Sequence, residues 1–377
     1  MADHDLDEMI ASLGDDVGRL SICADAFLAA GEPQGQLMAA HLAGLKERGI
    51  ELDQEQLIRK IIGEPWFEED RGVDLEWRWG FIDAIRWGGW HDFERIEKQY
   101  CELTRLMKTT PELVPSLPWR SEITTTDRVR SHRLLRRLRT LHIGPWDVRP
   151  SHDRLWQLLA REGLPPSVTE LIVADVPHAQ RDEHQITWID LGDMSQAYAA
   201  MQQLDRLYVR GSYLRLGRVE LPRLKHFIHF SSTFDELANL RSANWPQLET
   251  LSIAFGGDEY NPNPVTMDDV MAFVREVPAK VTHLGLRNLS FTDELIAPLA
   301  GTATLKRLNE LDLSFGVLLE RGAELLHRHA AAFAHLKKLD VTDTGLTDFD
   351  ALKEKIPGLH KGKEWRQKED RYPSVSE

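Results

Sequence analysis

Leu138-Arg139-Thr140-Leu141-His142-Ile143 sets the phrase on which the fold turns: apolar, two variable residues, apolar, one variable residue, apolar. The phrase recurs at Val168 to Val173, Leu204 to Val209, Leu224 to His229 in degenerate form, Leu248 to Ile253, Val281 to Leu286, Leu308 to Leu313 and Leu336 to Val341. Starts lie roughly 20 to 36 residues apart, the band of solenoid repeats. Alternation inside the phrase predicts a short strand with one buried side. The segments between phrases are long enough for a helix or a 3₁₀ turn each. Such units bury their apolar sides only against their neighbours, so the chain is expected to grow as a curved rod with a long exposed face.

The phrase and its period are those of leucine-rich repeats. The expected fold is an α/β leucine-rich-repeat solenoid, with a parallel sheet on the concave face, helices on the convex face and an N-terminal helical module. Its expected division is 1–72 for the helical module, 73–126 for a Trp-rich sealing region, 127–360 for the repeats and 361–377 for a flexible charged tail.

The module is read from helical spacing. Leu6, Met9, Ile10 and Leu13 share a face, and Leu20, Ile22, Cys23, Ala26, Phe27 and Ala30 repeat up to the stop at Gly31. Leu37, Met38, His41, Leu42 and Leu45 predict a third helix, and Leu57, Ile58, Ile61 and Ile62 a fourth. Five tryptophans then fall between 66 and 90, where Trp77-Arg78-Trp79-Gly80-Phe81 alternates like a strand. Ile82 to Trp87 fits the repeat phrase and is read as the atypical first coil that seals the rod. A helix is predicted over Asp92 to Met107, and 109–126 is a possible degenerate repeat. Thr266-Met267-Asp268-Asp269 has a capping-box pattern, and Thr292-Asp293-Glu294 puts acids in a helix's first turn.

The bulk composition, 42% hydrophobic and 28% charged over 377 residues, is that of a folded soluble protein. No stretch approaches the roughly 18 apolar residues of a membrane span. The acidic start Met1-Ala2-Asp3-His4-Asp5 is unlike a secretory signal. Cys23 and Cys101 are read as free, buried thiols of a reducing cytoplasm. A net charge of -14 argues against general binding to nucleic acid or anionic membrane.

The run Asp15-Asp16, Arg19-Leu20, Ala24-Asp25, Leu28 and Gly31-Glu32-Pro33-Gln34-Gly35 resembles the bacterial repeat-companion domain, a small N-terminal module that accompanies leucine-rich and other repeats. Ala26 departs from the usual aromatic, with Phe27 one place later. Trp77-Arg78-Trp79-Gly80-Phe81 looks like the element linking that module to its repeats. Phe255-Gly256-Gly257-Asp258-Glu259-Tyr260, with Leu284-Gly285-Leu286-Arg287-Asn288, is similar to a group of bacterial leucine-rich-repeat proteins. These resemblances imply architecture and an interaction role, and carry no activity.

Familiar catalytic spacings are missing: no phosphate-binding Gly-rich loop, no Gly-x-Ser-x-Gly, no His-Glu-x-x-His and no Cys-x-x-Cys. The reading is therefore non-enzymatic, with no cofactor and no metal. His327, His329 and His335 lack the spacing of a ligand set and are read as exposed or packing side chains. Asp258-Glu259 and Asp268-Asp269 are read as a loop and a helix cap rather than a cation site. The run Arg128, Arg130, Arg133, Arg136, Arg137 and Arg139 reads as a solvated helix face or a site for an acidic partner. Asn288 is read as the repeat Asn that bonds the backbone of the next turn.

The sharpest candidate is the concave face. Side chains alternate along each strand, so aligned phrases put Ile172, Tyr208 and Ile228 in one column, Arg210 and Phe230 in the next, and Arg206 and His226 in another. Later coils read Ser252, Gly285, Asp312 and Asp340 in the first column, small then acidic. Aromatics and Arg are the usual anchors of protein interfaces. Tyr208 and Arg210 are expected on successive exposed positions; a slip at the degenerate fourth phrase would turn Ile228 or Phe230 inward. The expected function is a cytoplasmic scaffold or recognition protein that holds another protein here. The alternative is a regulatory sensor of a small ligand or nucleic acid.

Overall fold

The computed structural model describes residues 6, 9–10, 13, 15–43, 73–87, 93–108, 133–145, 151–175, 185–256 and 264–362. The chain divides into two compact units: Met1–Asp147 with Leu164–Leu171, and Val148–Gly163 with Ile172–Glu377. The predicted fourth helix, the 109–126 segment, Arg128, Arg130, Asp258, Glu259 and the 363–377 tail lie outside the described residues.

In the first unit, helices α1 (Val17–Ala29) and α2 (Pro33–Leu42) pack together. Asp16 caps α1 by accepting from the Arg19 N–H, and Pro33 opens α2 where no N–H is needed. Leu6, Ile10, Leu20, Cys23, Phe27, Met38 and Phe81 form one buried cluster, while Ile22 and Ala30, read as part of the second face, are exposed. Strands β1 (Val73–Arg78) and β2 (Phe81–Trp87) form an antiparallel hairpin. Trp77 to Phe81 is thus not one strand. Trp79 and Gly80 both take positive φ, 54° and 79°, the signature of a tight two-residue hairpin turn. A side chain on Gly80 would strike Met38, while Gln34 Nε2 donates to the Gly80 carbonyl and the Gly80 N–H donates to His41 Nδ1. Helix α3 (Phe93–Lys108) follows, and β2 pairs in parallel with β3 (Thr140–Ile143). The phrase-like run Ile82 to Trp87 therefore joins the first repeat strand as expected. Cys23 is buried, but Cys101 is only half-buried, which corrects the expectation of two buried thiols. The strand Glu170–Val173 (β4) is divided between the units after Leu171.

The second unit holds helix α4 (Asp153–Glu162), which packs on the 3₁₀ segment Met194–Ala200. Strands β5 (Arg206–Arg210), β6 (His226–Phe230), β7 (Thr250–Ala254), β8 (His283–Arg287), β9 (Glu310–Asp312), β10 (Lys338–Asp340) and β11 (Leu359–His360) then pair in chain order, all parallel. Between them lie α5 (Leu237–Arg241), α6 (Met267–Glu276), α7 (Thr292–Ala300), α8 (Ala303–Arg307), α9 (Glu320–Phe333) and α10 (Phe349–Lys355). The Thr266–Asp269 capping box is formed in both directions. All eight phrases carry a strand, and β11 adds one the phrase search missed.

Coils are pinned to one another by a recurring main-chain bond. The carbonyl at the second phrase position accepts two N–H groups from the next coil. Arg139 takes those of Thr169 and Glu170, Asp205 those of Lys225 and His226, and Lys225 those of Glu249 and Thr250. Glu249, Thr282 and Asn309 repeat the pattern. Asn288, Phe315 and Asp343, each two residues past a phrase, all turn left-handed at φ 58°, 63° and 55°. Asn288 is wholly buried; its main-chain N–H donates to the Ser314 carbonyl and its carbonyl accepts from the Gly256 N–H.

Candidate functional site

Leu207 and Val209, Phe227 and His229, and Leu251 and Ile253 point into the core. The residues between them form the other face. Register is direct: Arg206 opposes His226, Tyr208 opposes Ile228, and Arg210 opposes Phe230. The fourth phrase is in register despite its irregular spelling, because His229 fills the last apolar slot. It is fully buried, with Nε2 3.0 Å from the Gly211 carbonyl oxygen and its ring edge-on to Phe234 at 5.2 Å.

Arg206 is exposed, and Tyr208, His226, Ile228 and Phe230 are half-buried, as is Ile172 on the part of β4 that belongs to this unit. Arg210 does not fit the expectation of an exposed position: it is only 2% exposed. Alternation places its Cβ on the outer face beside Phe230, yet the side chain is covered. His226 Nδ1 lies 2.9 Å from Thr250 Oγ1. Burial, then the charge of Arg206, holds its imidazole below the usual range.

The column of Tyr208 and Ile228 turns small and then acidic, as read. Ser252 occupies the space left by Gly285, whose missing Cβ would sit 2.2 Å from Ser252 Oγ. Asp312 and Asp340 each accept from a backbone N–H two residues on, Ser314 and Thr342, at 2.9 Å. These carboxylates close the turns after their strands. Lys338 also pairs with Asp340 at 2.8 Å.

One group escaped the sequence reading. Arg287, at the end of β8, lies over two rings, 4.8 Å from the Phe230 centroid and 5.1 Å from that of Phe315. The two rings meet edge to face at 5.7 Å. Arg287 Nε donates to Ser314 Oγ at 3.1 Å and stands 3.3 Å from Asp312 Oδ2. Phe230 and Arg287 come from strands two apart, and Ala254, wholly buried, is the small residue between them. Carrying the Arg210 and Phe230 column on to the later coils would have shown Phe230, Ala254 and Arg287 as large, small, large.

The other candidates resolve locally. His327 contacts Asp348 at 2.7 Å and Lys355 at 3.1 Å, and His335 meets the Leu305 carbonyl at 3.0 Å. Among the described residues, no group of three His, Cys, Asp or Glu is placed to hold a metal ion, and no helix is long and apolar enough to cross a membrane. Of the basic run, Arg133 is buried, while Arg137 and Arg139 turn to Asp15 at 2.7 and 3.5 Å. Arg78 reaches the same carboxylate at 3.3 Å, and Arg139 also holds Asp83 at 2.8 Å.

No family model matches the chain, and no curated protein does. Among solved structures, a Bacteroides fragilis protein determined as a structural-genomics target is 22% identical, with a TM-score of 0.54, over 63% of this chain and 68% of its own. That likeness is one of fold. An internalin from Listeria monocytogenes is 14% identical over 61% of this chain and 55% of its own, with a TM-score of 0.31.

Proposed function

We propose that the chain is a leucine-rich-repeat solenoid that works without catalysis, as a cytoplasmic recognition protein. It holds a segment of another protein on the outer face of β5 and β6. The observation that carries this reading is Tyr208, Ile228 and Phe230 standing in register, half-buried, on a face whose solvated state favours polar residues. Rigid aromatic and aliphatic side chains on a sheet lose little entropy when covered, which is what an interface anchor needs. Arg206 and His226 border them with donors. The helical pair of the first unit is read as the repeat-companion module, with Asp15 tying it to Arg78, Arg137 and Arg139.

The test compares two proteins in an affinity purification read by mass spectrometry: the wild type, and Tyr208→Ala with Ile228→Thr. Neither side chain is core, so the melting temperature should move little. One stoichiometric protein should be retained by the wild type and weakened by about 2 kcal/mol in the variant, the scale of hot-spot truncation. Arg210→Ala, which empties a buried site, should lower the melting temperature instead. A partner held equally by both proteins would place the interface elsewhere, and a co-purified oligonucleotide would favour the sensor reading.

A further inference from the structure

The outer positions of β5 to β8 carry the exposed Arg206, the partly open Arg287 and the buried Arg210, and no carboxylate; the acids of this face, Glu310, Asp312 and Asp340, begin at β9. An acidic protein thus keeps a basic half-face. Within it, Arg287 is held by rings and by hydrogen bonds. Two rings at 84° to each other flank the guanidinium, and Nε is committed to Ser314 and Asp312. No described residue accepts a hydrogen bond from Nη1 or Nη2, and the side chain keeps 15% of its surface open.

Rings on two sides of the guanidinium, with Nε held, leave the Nη edge as the way to approach it. The Nη edge carries donors in the fork geometry that matches a carboxylate with two parallel bonds. Asp312 neutralises part of the charge but binds through Nε and is itself anchored by the Ser314 N–H, so it fixes the fork without filling it. The orientation is set before any ligand arrives, which removes the ordering cost of a long side chain. Phe315 holds its place from the left-handed turn, φ 63°, that Asn288 and Asp343 also make on their coils.

We infer that Arg287, clamped by Phe230 and Phe315, is a reading head for a carboxylate on the partner, and that the partner segment is acidic, with an apolar side chain that reaches Ile228 and Tyr208. This rests on the interaction reading above and adds to it the chemistry of what is bound. Complementary charge also makes capture sensitive to ionic strength.

The experiment is a selection of random dodecapeptides by phage display on the full-length chain. The peptides recovered are then synthesised and titrated against variants. Asp and Glu should be enriched among them. Arg287→Gln should weaken their binding at least tenfold, and Arg287→Lys, which keeps the charge and loses the fork, should weaken it nearly as much. Phe315→Leu, which loosens the clamp but leaves Arg287 in place, should weaken it severalfold with the melting temperature retained. No acidic enrichment, no peptide recovered, or acidic peptides bound equally by Arg287→Gln and Phe315→Leu would overturn the inference. Peptides that need Tyr208 but not Arg287 would leave the interaction face standing and remove only its carboxylate reader. Peptides that need neither would remove both.

Discussion

Acid should unfold the second unit through two histidines, and a single substitution should reveal one share of it. His229 and His152 are both buried. His229 contacts the Gly211 carbonyl, and His152 Nδ1 lies 2.9 Å from the Asp190 carbonyl oxygen. Burial, only partly opposed by these bonds, pushes each imidazole down to about 4 from 6.5. The unfolded chain takes up a proton on each as pH falls below 6.5, and the folded chain refuses it until about 4. Stability from this source is therefore complete above pH 6.5 and is lost as pH falls toward 4. The gap corresponds to about 3 kcal/mol per histidine, a large fraction of a typical folding free energy. Urea titrations from pH 7.5 to 4.5 should show it, and His229→Leu isolates one share. At pH 7.5 the variant should be less stable, because the Gly211 carbonyl loses its donor, at a cost of about 1–3 kcal/mol. Between pH 6 and 4.5 its stability should fall less steeply than the wild type's by about 1.4 kcal/mol per pH unit, one proton's share. The other titrating groups are common to both proteins and cancel. Parallel curves would refute the reasoning.

Two further outcomes follow from single positions. Gly256→Ala should lower the melting temperature sharply or abolish folding, because the residue sits at φ 90° and an added Cβ would lie 1.6 Å from the Ser232 carbonyl oxygen; an unchanged thermal melt would contradict the local geometry. The thiols should react unequally with a chromogenic disulfide at pH 8. Cys101 should react first, and Cys23, buried and pushed up to about 11, only on denaturation; equal rates would place Cys23 at the surface.

The strands were legible because the phrase repeats a physical requirement: apolar side chains at fixed places against the next coil. That is why even Leu224 to His229 kept register, with an imidazole in an apolar slot. β11 was not legible, since Leu359 and His360 are too few to alternate. The hairpin at Trp79 and Gly80 hid inside an alternating run because the turn is only two residues long. At the site, alternation told which side of the sheet a residue leaves from, and Tyr208, Ile228 and Phe230 followed it. It could not tell what lies over that side. Arg210 was misread because alternation fixes where a side chain leaves the sheet and not what covers it. Arg287 was passed over because its clamp joins β6, β8 and the turn after β9 across the small Ala254, a relation that no single phrase contains.

The carbonyl pins between coils have a consequence for how such a chain changes over generations. Each is made by peptide groups, so it is blind to which side chain stands on the outer face. Residues such as 206, 208, 226 and 228 can be exchanged without disturbing the stack, and the far side of a coil can lengthen or shorten, as starts spaced roughly 20 to 36 residues apart show. What keeps the coils together and what they display are thereby inherited separately, and a new binding preference can arise without a new fold.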